Sequence, residues 1–232
     1  MTTRLAKEKT FFLPFNRGSQ PGQIQCGAGN PQHASGYRTG YFWQETLQRD
    51  SFLDILGHFL FIEKDEQKVD DGRGGKKLVT TEKMVFPRYH QLDVVTKLLE
   101  DVSEKGVGER YLIQHSAGSG KSNSLTWLAF QVINACPTTM AAKRAKGLEE
   151  KLFNSAIVVT DRRLLDKQIT ANIRAFGQTQ KIIAHANSSS DLKDAIESGK
   201  RIIITTAEVT HVAPDGRRSA CAVMQQTLVP VP

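Results

Sequence analysis

Apolar positions recur along this chain in two rhythms, and the change between them divides it. In residues 42–64, FWQETLQRDSFLDILGHFLFIEK, the side chains of Leu47, Phe52, Ile55, Leu56 and Phe59 follow a mostly helical spacing. That spacing predicts a short amphipathic helix with Ser51 as a cap. Residues 63–85 carry charges and glycines with no apolar period and are expected to be a surface loop or linker. From Phe86 onward helical and strand patterns alternate. The expected elements are helix 89–104, strand 110–114, helix 121–135, strand 156–160, helix 162–175, strand 181–185, helix 190–198 and strand 201–205. That order predicts an α/β fold, a parallel sheet with helices on both faces. PTTMAAKRAKGLEEK, residues 137–151, reads as a solvated insertion.

Composition narrows the class of partner. The 232 residues carry a formal charge of +7 and a pI near 9.4, which suits a polyanion such as nucleic acid but also a plainly solvated surface. Residues 1–44 hold one acid, Glu8, against Arg4, Lys7, Lys9, Arg17 and Arg38. With the turn-rich GQIQCGAGNPQHASGY they read as an arm. No apolar run approaches the roughly 20 residues of a membrane span. The start, MTTRLAKEKTFF, has no signal core, so the expected location is the cytoplasm, with no membrane partner. Cys26, Cys136 and Cys221 lie far apart and suggest neither a disulfide framework nor a zinc site.

The chemistry concentrates in HSAGSGKSNS, residues 115–124, placed between an expected strand and an expected helix. Small residues there let backbone N–H groups close around phosphate oxygens, and the helix turns its positive end to the same anion. Ser116, Ala117, Gly118, Ser119, Gly120, Lys121 and Ser122 are the candidate ATP-binding residues, Lys121 for the outer phosphates and Ser122 for Mg²⁺. The general P-loop (Walker A) pattern G-x-x-x-x-G-K-[ST] wants glycine at position 115, where this chain has His115. The alternative is a chance glycine-rich turn. The variant spacing is similar to that of superfamily 2 helicases and translocases.

That similarity gives meaning to three further segments. FPRYHQ places Arg88 and Gln91 upstream of the loop, where superfamily 2 motors use a glutamine to read the adenine edge through its two-sided amide. The competing reading is a surface glutamine. AIVVTDRRLLDKQ resembles motif Ia and would bring Arg162 and Arg163 to a nucleic-acid backbone, although arginines after a strand are often only a solvated face. RIIITTAE ends a strand in Thr205 and Thr206, similar to a motif whose hydroxyls bind phosphates of the tracked strand. Strand propensity alone would also place threonines there.

FPRYHQLDVVTKLLEDV, ERYLIQHSAGSGKSNSLTWLA and AIVVTDRRLLDKQ, with TFFLPFNRG, GAGNP and GYRTGYFWQETLQRDSFLDILG ahead of them, closely resemble the restriction (R) subunit of type I restriction-modification enzymes over about residues 3–206. The resemblance implies an N-terminal nuclease domain, two RecA-like lobes that pump duplex DNA with ATP and Mg²⁺, and docking onto the modification (methyltransferase) and specificity subunits. On it, residues 1–62 are a connector following a nuclease core that has no counterpart here, 63–85 a linker, and 86–206 the N-terminal part of the first motor lobe. The aromatics of FFLPF and Tyr41, Phe42 and Trp43 are expected to pack against the neighbouring domain rather than to stack on bases.

After Thr206 the sequence AEVTHVAPDGRRSACAVMQQTLVPVP loses strand and helix periodicity and the resemblance stops; residues 207–232 read as a tail foreign to the family, most simply a frameshift. The acidic pair that such a motor needs for metal and water is missing, Glu208 and Asp215 being separated and out of context. In the family's sheet, the strands that carry the acidic motif and the next motif lie beside the phosphate-loop strand. Their loss would leave RYLIQH with an unpaired apolar edge. No complete catalytic set is expected. The reading is a fragment of the R subunit, with a non-catalytic binding remnant, another superfamily 2 helicase and a nucleotide kinase as alternatives.

Overall fold

Three consecutive isoleucines in a strand, Ile202, Ile203 and Ile204, can all be buried only if the sheet is covered on both faces, and all three are completely buried. The computed structural model of the chain describes residues 2–4, 11–12, 15–20, 27–70, 75–116, 118–138, 151–160, 180–206 and 221–226. They fall into two units, Met1–Asp93 and Val94–Pro232.

In the second unit the strands are β5 (Ser155–Thr160), β6 (Ile183–Ala186), β7 (Ile202–Thr206) and β8 (Cys221–Gln226). They form one parallel sheet in the order β6-β7-β5-β8. Side-chain alternation sends Ala156, Val158, Ile202 and Ile204 to one face, where they pack with Ala129, Val132 and Ile133 of the region around α3 (Lys121–Val132) and with Val102 of α2 (Tyr89–Lys105). Ile203 and Ala186 face the other way, against Ala195 of α4 (Ser189–Glu197). Helices therefore cover both faces, as the alternating pattern predicts. α4 begins in a reciprocal cap: Asp191 N–H donates to Ser188 Oγ, and Ser188 N–H donates to Asp191 Oδ2, both at 3.1 Å. The C-terminal end of α3 is closed by Arg201, whose guanidinium donates to the Ile133 carbonyl.

Two expectations for this unit are corrected. Residues 110–114 join none of the described ladders: Leu112 is 95% exposed, and Tyr111 and Ile113 are also exposed. A strand needs a neighbour for its N–H and C=O groups, and β5 is occupied on one edge by β7 and on the other by β8. Tyr111 is instead tied to α2, its hydroxyl donating to Asp101 Oδ2 at 2.7 Å. The second correction is β8 itself, a strand paired from Ser155↔Cys221 to Thr160↔Gln226 in a stretch expected to lack strand period. The expected helix 162–175 lies outside the described residues.

The first unit holds two short antiparallel strands, β1 (Thr2–Arg4) and β2 (Phe11–Phe12), and a hairpin of β3 (Phe61–Asp70) with β4 (Lys76–Val85). The hairpin corrects the expected loop at 63–85. Its register runs from Phe61 opposite Val85 to Asp70 opposite Lys76, the last an oppositely charged cross-strand pair that favours pairing.

The helix expected over 42–64 is shorter and interrupted. A regular stretch, α1 (Arg49–Asp54), lies between two wide turns closed by i→i+5 bonds, Leu47 N to Phe42 O and Leu60 N to Ile55 O. Ser51 is inside α1, not its cap. The wide turns shift the helical phase, so Ile55 and Phe59 are completely buried while Leu47, Phe52 and Leu56 are exposed. The aromatics of this unit pack on one another: Phe15 meets Tyr41, Phe42, Phe86 and Tyr89 with centroid distances of 5.6–6.4 Å.

Candidate functional site

The glycine-rich loop takes the conformation that its residue types require. Gly118 has φ 72° and Gly120, the residue before α3, has φ 80°, both in the left-handed region that side-chain-bearing residues seldom enter. A Cβ added at Gly118 would meet nothing within 4 Å, so the demand there is conformational rather than steric. Ser119 N–H closes a turn on the Ser116 carbonyl at 3.3 Å, and Asn123 N–H and Ser124 N–H reach the Gly120 carbonyl at 3.0 and 3.4 Å. The residue before α3 is Gly120, which has no side chain with which to cap the helix.

Lys121, the first residue of α3, folds back across the loop. Its ammonium donates to the His115 carbonyl at 3.1 Å and to the Ser116 carbonyl at 2.9 Å. The residue that departs from the general pattern, His115, thus contributes a backbone oxygen, which any side chain at that position would leave available. Ser119 and Ser122 are buried, and the Ser122 carbonyl accepts from Thr126 Oγ1 at 2.9 Å, fixing the first turn of the helix.

This geometry suits a phosphate-bearing anion: a cation, a helix N-terminus and two glycines that permit close backbone approach meet within a few residues. Among the described residues no cluster of three or more His, Cys, Asp or Glu could hold a metal. The residues fit Mg²⁺ in the way that ion is usually taken, through nucleotide phosphates with one hydroxyl, Ser122, from the protein.

The remaining candidates separate. In the first unit Arg88 and Gln91 come together: Arg88 N–H donates to Gln91 Oε1 at 2.8 Å, and Gln91 is 3% exposed. Gln91 is the third residue of α2 and reaches back to the residue before the helix, one half of a capping box, so the expected alternative of a surface glutamine is corrected. Thr205 corrects the pairing of Thr205 with Thr206 as two phosphate-facing hydroxyls. Thr205 is fully buried and its Oγ1 donates to the Ala186 carbonyl at 3.1 Å, joining β7 to β6, while Thr206 is half-buried. Successive residues of a strand point to opposite faces, so the two hydroxyls do not share one. Ala117, Arg162, Arg163, Glu208 and Asp215 lie outside the described residues.

Sequence reasoning missed a side-chain cluster in the first unit built on Arg17, Tyr41, Glu45 and Tyr89. Its only sequence signal is aromatic residues on either side of an arginine-bearing turn.

Among the described residues no helix is long and apolar enough to cross a membrane. No curated protein matches the chain. Residues 90–228 match the SWI2/SNF2 ATPase family, a range that takes in Gln91, the glycine-rich loop and all four strands of the parallel sheet, and the chain belongs to that family.

Proposed function

We propose that this chain carries the ATP-binding part of a DNA-translocating motor of the type I restriction R subunit, and that it binds ATP with Mg²⁺ without turning it over by itself. The observation that carries nucleotide binding is Lys121, the first residue of α3, held over the carbonyls of the glycine-rich loop. Lys121 would exchange carbonyl for phosphate oxygens, Ser122 would supply a hydroxyl to Mg²⁺, and Gln91 would take the adenine edge. Arg162, Arg163 and Thr206 are the proposed DNA contacts. Turnover is not expected because phosphoryl transfer depends on a positioned acid and metal ligand, and the sequence offers no paired acids after Thr206.

The test combines calorimetry with ATP and Mg²⁺ and phosphate release with and without duplex DNA. Nucleotide binding with no DNA-stimulated release is expected; DNA-dependent release abolished by Lys121→Ala would overturn the catalytic part. Duplex binding should weaken with salt at a slope of about 0.9 per phosphate neutralised. Comigration with a purified modification–specificity core supports the R-subunit assignment, and nucleotide binding without comigration overturns it while leaving the ATPase reading intact.

A further inference from the structure

The segment read as an arm meets the start of α2 through several side chains, Arg17 among them. Arg17 lies against two tyrosine rings, its guanidinium carbon 5.1 Å from the centre of Tyr41 and 5.3 Å from that of Tyr89. Its Nη1 meets both carboxylate oxygens of Glu45, at 3.0 and 2.9 Å. Its backbone N–H donates to Asn30 Oδ1 at 2.8 Å, and the Asn30 amide donates in turn to Asn16 Oδ1 at 3.2 Å. Phe15 packs edge-on against Phe86 and Tyr89 at 6.2 and 5.6 Å, and the Tyr41 hydroxyl donates to the Phe15 carbonyl. Burial works against the charge on Arg17, but Tyr89 and Glu45 outweigh it and hold its pKa above the ordinary arginine value.

An exposed ion pair alone contributes little. Here the cation is fixed three ways, by stacking, by a carboxylate and by its own backbone, and one of the groups it fixes is Tyr89. Tyr89 is the first residue of α2 and stands between Arg88 and Gln91, the two residues joined by the 2.8 Å bond. A ring held in place there restricts the rotation of the first helical turn.

We propose that Arg17 is a positioning residue for base recognition: by holding Tyr89 it keeps the first turn of α2, and the Gln91 amide with it, in the arrangement that takes an adenine. The proposal rests on Gln91 reading the base. It makes the N-terminal segment a determinant of nucleotide choice rather than a tether.

The experiment measures affinities for ATP, GTP and inorganic pyrophosphate by calorimetry on the full chain carrying Arg17→Ala, Arg17→Lys, Gln91→Ala and the Arg17→Ala/Gln91→Ala pair. Arg17→Lys keeps the charge and the methylene stem but loses the planar fork, and carries the test if Arg17→Ala does not fold. Each Arg17 variant is expected to reduce the ATP-to-GTP affinity ratio about fivefold, the equivalent of one hydrogen bond, with pyrophosphate affinity unchanged. The double variant is expected to go no further than Gln91→Ala, because residues acting through one another are not additive. A ratio that collapses in Gln91→Ala but survives in the Arg17 variants overturns the positioning role and leaves base reading intact. Additive losses also overturn it, as does a parallel fall in pyrophosphate affinity, which would mark general damage. An unchanged ratio in Gln91→Ala overturns base reading and the positioning role together.

Discussion

Replacing Lys121 with alanine removes a cation whose ammonium is held against the glycine-rich loop by that loop's carbonyls, and the size of the effect follows from what the lysine does without nucleotide. Its two bonds to the His115 and Ser116 carbonyls, at 3.1 and 2.9 Å, must be exchanged when a phosphate arrives. A hydrogen bond to a charged group contributes roughly 1.5–3 kcal/mol, a factor of about 10–150 in affinity. Giving up carbonyl acceptors offsets part of that gain, and Lys121 is only half-buried, so the expected loss lies near the lower end, about tenfold. Folding stability should change by less than ~1 kcal/mol, equivalent to a melting shift of about 2–4 °C for a chain of this size. Calorimetry with ATP and Mg²⁺, run beside a thermal melt of the same samples, measures both. Lys121→Arg, which keeps the charge but not the compact ammonium, should bind between parent and alanine variant. Equal affinity in parent and Lys121→Ala refutes the assignment of the loop. A large affinity loss accompanied by a collapsed melt refutes the reasoning that the lysine acts on the ligand rather than on the fold.

Two other perturbations probe how this unit is held together. Arg201→Ala leaves the Ile133 carbonyl at the end of α3 without its guanidinium donor and is expected to lower stability by about 1.5–3 kcal/mol, read as a lower melting temperature; an unchanged melt would show that solvent replaces the bond. The Tyr111 ring is exposed, but desolvation at its hydroxyl, followed by the hydrogen bond to Asp101, raises the phenol above the ordinary tyrosine range. A folded-state value above the unfolded one means that the tie is fully present below the unfolded value of about 10 and is lost as pH rises through the folded value. Hydrogen bonds from Lys105 first and Tyr111 second hold Asp101 below its ordinary value, so the acid side of the same tie is lost only as pH falls through that depressed value. In an absorbance titration near the tyrosinate band, Tyr111→Phe should delete the most alkaline step and Asp101→Asn should bring it to lower pH; persistence of that step in Tyr111→Phe would refute the contact.

The parallel core could be read from the sequence because its strands are buried on both faces and therefore carry uninterrupted apolar runs. Ile202–Ile204 and AIVV are of that kind, and both form strands. RYLIQ looks equally apolar, but a strand is defined by its neighbours as well as by its own residues, and both edges of β5 are already paired. The hairpin was hidden for the opposite reason. Leu78 and Val79, adjacent residues on opposite faces of β4, are 52% and 40% exposed, so neither face is buried and no alternation of apolar and polar positions marks the strand.

The site divides along a similar line, between what neighbouring residues determine and what distant ones do. The conformation of the glycine-rich loop could be expected because it resides in contiguous backbone: two residues able to adopt positive φ, then a lysine on the first turn of the helix that follows. Thr205 and Thr206 could have been separated by the period of two that governs every strand, which puts successive side chains on opposite faces of the sheet. Gln91 was singled out by its place before the loop; its capping bond to Arg88 shows that its amide oxygen holds the helix start, so the proposed base reading must be judged by selectivity and not by affinity alone. Arg17 could not be found by either route. Its carboxylate partner Glu45 is 28 residues away, and its ring contacts come from Tyr41, at the start of the first wide turn, and from the first residue of α2. Only the folded chain brings them onto one guanidinium, because they come from parts of the sequence too far apart for any local pattern to connect.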